Sequence, residues 1–151
     1  MSISADHITS GYSKEVDILH DVSIRAAKSK ITGIIGPNGS GKSTLLKTIY
    51  GFLKPKGGRI FLNDEDITGC NPHLTIRKGI SYVPQNGALF PNLSVSDNLQ
   101  LGGWIYRGNK DLLKTAITKV YETYPNLNDK KNLAASSLSG GERKMLRLAR
   151  P

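Results

Sequence analysis

Cysteine is almost absent from this chain: Cys70 is the only one in 151 residues. One thiol cannot close an internal disulfide, and no metal-ligand spacing of Cys and His accompanies it. That excludes a disulfide-stapled scaffold and fits a reducing cytosol. Long apolar runs are missing too. The longest is a handful of residues, far short of the roughly 20 that cross a bilayer. Met1 to Asp6 is polar and mixed, with none of the basic-then-apolar character of a leader. The expectation is a soluble chain that stays in the cytoplasm. Acidic residues are under-represented, 12 against 21 Lys and Arg, for a formal charge of +9. Such a balance suits nucleic acid, anionic lipid or phosphate ligands, or the solvated surface of a piece of a more balanced protein. The basic residues are scattered and no aromatics interleave them, so nucleic acid is not the expected partner.

What remains is the composition of one ordinary globular domain, 38% hydrophobic with 16 glycines. Residues 2–9 read as a strand, and 18–26 as a second, through Ile18, Leu19, Val22 and Ile24. Ile31 to Gly36 is short and β-branched, the pattern of a buried strand. Lys42 to Phe52 has helical spacing at Leu45, Leu46, Ile49 and Tyr50. Gly57-Gly58 opens a strand over Arg59 to Leu62, and Gly79 to Val83 reads as another buried strand stopped by Pro84.

Past that point the period changes. Ser94 or Ser96 caps a helix carrying Val95, Leu99 and Leu101. Asn109 caps a longer one with Leu112, Leu113, Ala116, Ile117, Val120 and Tyr121 on one face, ended by Pro125. Ser139 with Gly140-Gly141 opens a third, through Met145 and Leu148. The expected class is α/β, a β-rich core over 1–85 and a helical subdomain over 86–151.

One segment carries explicit chemistry. Gly36-Pro37-Asn38-Gly39-Ser40-Gly41-Lys42-Ser43, running on to Thr44, satisfies G-x-x-x-x-G-K-[ST] in full. Glycines let successive N–H groups turn inward on a phosphate, and a helix starting at Lys42 aims its positive end at the same anion. Lys42 reaches the β- and γ-phosphates, and the Ser43 hydroxyl suits Mg²⁺. The bland alternative, a glycine-rich turn joining strand to helix, does not require the lysine and serine at those places.

Three further segments complete a resemblance. Tyr12 precedes the loop, Tyr82-Val83-Pro84-Gln85 follows it, and Leu138-Ser139-Gly140-Gly141-Glu142 matches L-S-G-G-[QE]. In this order they resemble the ATPase domains of ABC transporters, whose fold is that of P-loop NTPases. The resemblance implies that Tyr12 stacks on adenine, although a lone tyrosine after a strand is also an ordinary packing residue. It implies that Gln85 touches Mg²⁺ or its waters and senses the membrane subunit. It implies that Leu138 to Glu142 meets the γ-phosphate of ATP held by a second ATPase subunit in a head-to-tail dimer. Ser139 doubles as a plain helix cap. Tyr82 to Gln85, Leu89-Phe90-Pro91-Asn92-Leu93-Ser94-Val95 and Tyr124-Pro125-Asn126-Leu127 look most like the branched-chain amino acid importers. The implied cofactors are ATP and Mg²⁺, the implied partners polytopic permease subunits, and the implied place the inner face of the cell membrane. A soluble ATPase acting on nucleic acid or ribosomes, and a nucleotide-binding module that does not hydrolyse, remain open beside it.

The family continues beyond its signature with an aliphatic run closing in Asp-Glu and, later, a histidine. None of these has a counterpart here, so the expectation is the N-terminal part of such a domain, without a catalytic glutamate and hydrolysing ATP little faster than background. Ile60 to Glu65 imitates the Asp-Glu run, but Asn63-Asp64 reads as turn chemistry in an outer hairpin. The resemblance also implies that strands flanking Ile31 to Ile35 lie outside these residues, leaving that run unpaired and bare. Pro151 falls where the family's helix usually continues.

Overall fold

The computed structural model describes residues 1–85 and 87–150. Asn86 and Pro151 lie outside them, and with Pro151 the expected break in the last helix. The chain forms two compact units, Met1–Tyr82 and Val83–Pro151.

The first unit is built on an antiparallel sheet. Its strands are β1 (Ile3–Ser10), β2 (Leu19–Ala26), β3 (Gly57–Leu62) and β4 (Glu65–Asp66), in the order β2-β1-β3-β4. Ala5 and Ile8 are three residues apart, yet both are fully buried. Strict alternation would send one of them outward. A bulge around His7, at φ 55°, absorbs the extra residue: the register runs from Ala5 opposite Ile24 to Ile8 opposite Val22. Asn63 turns the β3–β4 hairpin at φ 54°, and its side chain accepts the Ser2 N–H at 2.9 Å.

Helix α1 (Lys42–Tyr50) lays Leu45 and Tyr50 into a core with Ala5, Ile8, Leu19, Ile60, Leu62 and Ile67. Gly51 ends it in the left-handed conformation, its N–H bonded back to the carbonyls of Lys47 and Thr48. Helix α2 (Pro72–Arg77), with proline at its first position, was not legible from apolar spacing.

Two expected strands are absent. Ile31 to Gly36 and Gly79 to Val83 carry no ladder, and Ile31 to Gly36 makes no backbone–backbone hydrogen bond among the described residues. Ile31 and Ile35 stand fully exposed, at 102% and 98%. An extended run becomes a strand only where a neighbour supplies donors and acceptors. No described strand lies alongside these runs. The expectation of burial fails at Ile31 and Ile35, whereas Ile34 packs against the core and Ile80 is buried in it; the unpaired backbone implied by the family resemblance is what Ile31 to Gly36 shows.

The second unit is helical: α3 (Val95–Gly102), a 3₁₀ turn (Gly103–Tyr106), α4 (Lys110–Thr123), α5 (Pro125–Asp129), a second 3₁₀ turn (Ala135–Ser137) and α6 (Gly140–Ala149). Val95, Leu99, Leu127, Ala135, Leu138, Leu146 and Ala149 form its core. Asn109 caps α4 as expected, accepting the Leu112 N–H at 3.1 Å. The apolar face of α4 is only half used: Ile117, Val120 and Tyr121 pack on the core, while Leu112 is exposed. Pro125 both stops α4 and opens the short α5. No helix among the described residues is long and apolar enough to cross a membrane.

Candidate functional site

Gly36 to Gly41 lies on the surface between the unpaired run and α1. A turn closes it, the Ser40 N–H donating to the Pro37 carbonyl at 3.3 Å. Gly39 and Gly41 both adopt φ 86°, which an L side chain would resist. A Cβ on Gly41 would also come within 2.8 Å of the Leu19 side chain. The result is a backbone that bends sharply and presents the start of α1 bare.

That start has no side-chain cap and no acidic residue in its first turn. The N–H groups of Lys42, Ser43 and Thr44 find no acceptor among the described residues; the first bond inside the helix is from the Leu45 N–H to the Gly41 carbonyl, 2.8 Å. Orphan donors at the positive end of a helix make an anion site. Lys42 supplies the charge. Its ammonium donates to the carbonyls of Gly36 at 2.8 Å and Pro37 at 2.6 Å, and to the Ser40 hydroxyl at 3.3 Å. The cation is thereby held inside the loop. Ser43 is exposed on the first turn, its hydroxyl open to a ligand, whereas Thr44 is buried. The donor set therefore fits a phosphate chain, with Ser43 suited to a magnesium ion that phosphate oxygens and water would otherwise ligate. Among the described residues no cluster of three His, Cys, Asp or Glu could hold a metal alone.

Tyr12 is brought to the flank of α1. Its phenol is held below the ordinary tyrosine value, first by a hydrogen bond with the Thr44 hydroxyl and then by Lys47. The Lys47 ammonium donates to the Tyr12 hydroxyl at 3.3 Å and sits 5.2 Å from the ring centroid. The ring is 59% exposed, so an aromatic surface stands open beside the helix that starts at the loop. Lys47 was not anticipated from sequence. Glu65 begins β4 and is tied to Lys78 by an ion pair.

Gln85 and Leu138 to Glu142 belong to the second unit. Leu138 is buried and anchors the motif in the core. Ser139 caps α6: its hydroxyl oxygen accepts the Glu142 N–H at 3.2 Å, and the Glu142 carboxylate accepts the Ser139 N–H at 2.9 Å. The other carboxylate oxygen takes a hydrogen bond from Lys130 at 2.6 Å. Lys130 first, and the Ser139 N–H second, hold the Glu142 carboxyl down to about 2. The N–H groups of Gly140 and Gly141 have no acceptor among the described residues, and a Cβ on either would meet nothing within 4 Å. The α6 start is thus a second exposed ring of donors. Gln85 is exposed, and its carbonyl accepts a bond from Arg147 of α6 at 2.8 Å. Arg143, Arg147 and Arg150, which bond carbonyls around the motif and the Gln85 turn, were missed. Their i, i+4, i+7 spacing, one face of a helix, was the available signal.

The family model described as ABC transporter matches residues 19–151. A probable branched-chain amino acid transport ATP-binding protein LivF of Archaeoglobus fulgidus is 42% identical over 94% of this chain and 59% of its own length. The high-affinity branched-chain amino acid transport ATP-binding protein BraG of Pseudomonas aeruginosa is 36% identical over 98% of this chain and 62% of its own. A molybdate/tungstate import ATP-binding protein WtpC of Methanocaldococcus jannaschii is 44% identical over 78% of this chain and 38% of its own. The chain thus spans about three fifths of the first two relatives. Among solved structures, a nucleotide-free ATP-binding cassette from an ABC transporter superposes with a TM-score of 0.85 at 32% identity, covering 99% of this chain and 64% of that one. With the family model over most of its length and that fold throughout, the chain belongs to the ABC transporter family and has the P-loop fold of its ATP-binding cassettes.

Proposed function

We propose that this chain is the ATP-binding, energy-coupling part of a membrane importer and that it holds Mg·ATP at Gly36–Thr44. The observation that carries the reading is the α1 start, where three N–H groups have no acceptor among the described residues and the Lys42 ammonium is held by the adjoining loop. Tyr12 is the adenine platform, Ser43 and Gln85 are the magnesium-side residues, and Leu138 to Glu142 is the surface offered to ATP on a second copy or a paralogous subunit. Polytopic permease subunits hold the assembly at the inner face of the membrane. Of the solutes in the relatives' names, branched-chain amino acids are favoured, because those relatives match over nearly the whole chain.

Chemistry beyond binding needs a base. Within these 151 residues no Asp-Glu pair follows the signature, and Glu65 is engaged by Lys78. We infer that this polypeptide alone binds ATP with turnover below about 0.1 s⁻¹, near background on the scale of enzymes. Calorimetry tests the binding. Mg·ATP should bind, and Lys42→Ala should weaken it about a hundredfold, the size of a lost charge-assisted contact to phosphate. Equal affinity in the two proteins would remove the reading.

A further inference from the structure

The residues of α6 that face away from its signature end have no role in the reading above. Arg147 lies two turns into the helix, and its Nη1 donates to the Gln85 carbonyl at 2.8 Å. Arg150, three residues on, donates from Nη1 to the Ala88 carbonyl, and its guanidinium lies 6.0 Å from the Phe90 ring centroid. Two cations one turn apart therefore grip two carbonyls three residues apart. Arg147 lies in the last turn of α6, and Arg150 is the C-cap residue that follows it.

Both side chains are committed to this place. The Nε of each is buried with no acceptor among the described residues, and burial pushes the Arg150 guanidinium below its ordinary value. A guanidinium giving up water, with one donor unsatisfied, is disfavoured unless its remaining bonds hold it. Those bonds go to the carbonyls of Gln85 and Ala88. Gly102, at the end of α3, is shaped to the same feature: a Cβ there would come within 2.7 Å of the Arg150 Cβ.

We propose that Arg147 and Arg150 are positioning residues for Gln85, tying its turn to the signature helix so that the glutamine and the Ser139–Gly141 donors are carried as one body. This rests on the reading of Gln85 as a magnesium-side residue. In this role the arginines act through the backbone from which the glutamine side chain reaches. Arg147 is the sharper case, because its acceptor is the carbonyl of Gln85 itself.

The whole chain, titrated with ATP in Mg²⁺ and again in EDTA, tests this. Arg147→Met should weaken Mg·ATP binding about tenfold, the scale of one charged hydrogen bond, and leave ATP in EDTA unchanged. Arg147→Lys keeps a charged donor and should stay within about threefold. Gln85→Ala should show the same Mg²⁺-specific loss, and Arg147→Met combined with Gln85→Ala should lose no more than either alone. Equal losses in both buffers, additive losses in the double variant, or no loss in Arg147→Met would each overturn the proposal. Should Arg147→Met fail to fold, Arg147→Gln carries the same comparison. A parent chain that binds ATP in neither buffer would instead sink the nucleotide reading, and the positioning role with it.

Discussion

Helices α3 and α6 begin with the same device and use it differently. Each has a serine N-cap at φ −62° and ψ 163°, and each has an acidic residue three positions on that completes a capping box. At α3 the start is closed. The Ser94 hydroxyl donates to Asp97 at 2.6 Å, the Val95 and Ser96 N–H groups donate to the Leu133 and Lys131 carbonyls at 2.9 Å each, and buried Asn98 ties in Phe90, Leu93 and Ser94. At α6 the carboxylate turns its second oxygen to Lys130, and Gly140 and Gly141 leave two N–H groups with no acceptor among the described residues. One motif, with every first-turn donor accepted, is a structural joint; with two N–H groups spare, it leaves donors for the ligand proposed above. The motif alone does not distinguish them. What the neighbouring chain supplies does.

The comparison can be broken at several points. Asn98→Ala should have the largest effect, destabilising the protein by about 3 kcal/mol, since it orphans several buried polar groups at once; a denaturant melt measures it. Ser94→Ala and Ser139→Ala should each cost about 1 kcal/mol as lost caps, nearly alike. Only Ser139→Ala should impair ATP-dependent pairing of two cassettes, read by sedimentation. Unequal melts would show that the two boxes differ in stability as well as in use. Acid should reveal the Lys130 link. The Glu142 carboxyl drops from about 4.5 to about 2 on folding, so its contribution is present above pH 4.5 and fades as pH falls towards 2. Glu142→Gln should flatten that part of the stability profile. The smallest effect is expected at Gly140: with open space around it, Gly140→Ala should leave stability unchanged or raise it by a few tenths of a kcal/mol, while crowding an incoming phosphate. A clear loss of stability there would mean the glycine serves the fold.

Legibility followed the range of the forces. The caps at Ser94, Asn109 and Ser139, and the loop-to-helix start at Lys42, depend on residues within four positions of one another, and each lay where its residues indicated. The strands at Ile31 and Gly79 looked as strong locally as β1 or β3, and neither formed a ladder. Their hydrogen bonds need partners that local pattern cannot see. The β1 bulge was equally hidden, because it is set by the register against β2. Short α2 and α5, each opened by a proline and too short for a helical stripe, left only a punctuation mark to read.

The amino-acid order alone determined the Gly36–Thr44 loop and the Leu138–Glu142 segment, because glycine, lysine and serine at fixed spacing dictate backbone conformation and charge over a few bonds. Tertiary structure decided which of those donors stay free. It set Tyr12 beside Lys47 of α1, paired Glu142 with Lys130, and brought Arg147 and Arg150 onto the carbonyls of Gln85 and Ala88. Each pair lies 12 to 62 positions apart in sequence, so contact arises only when the chain has packed.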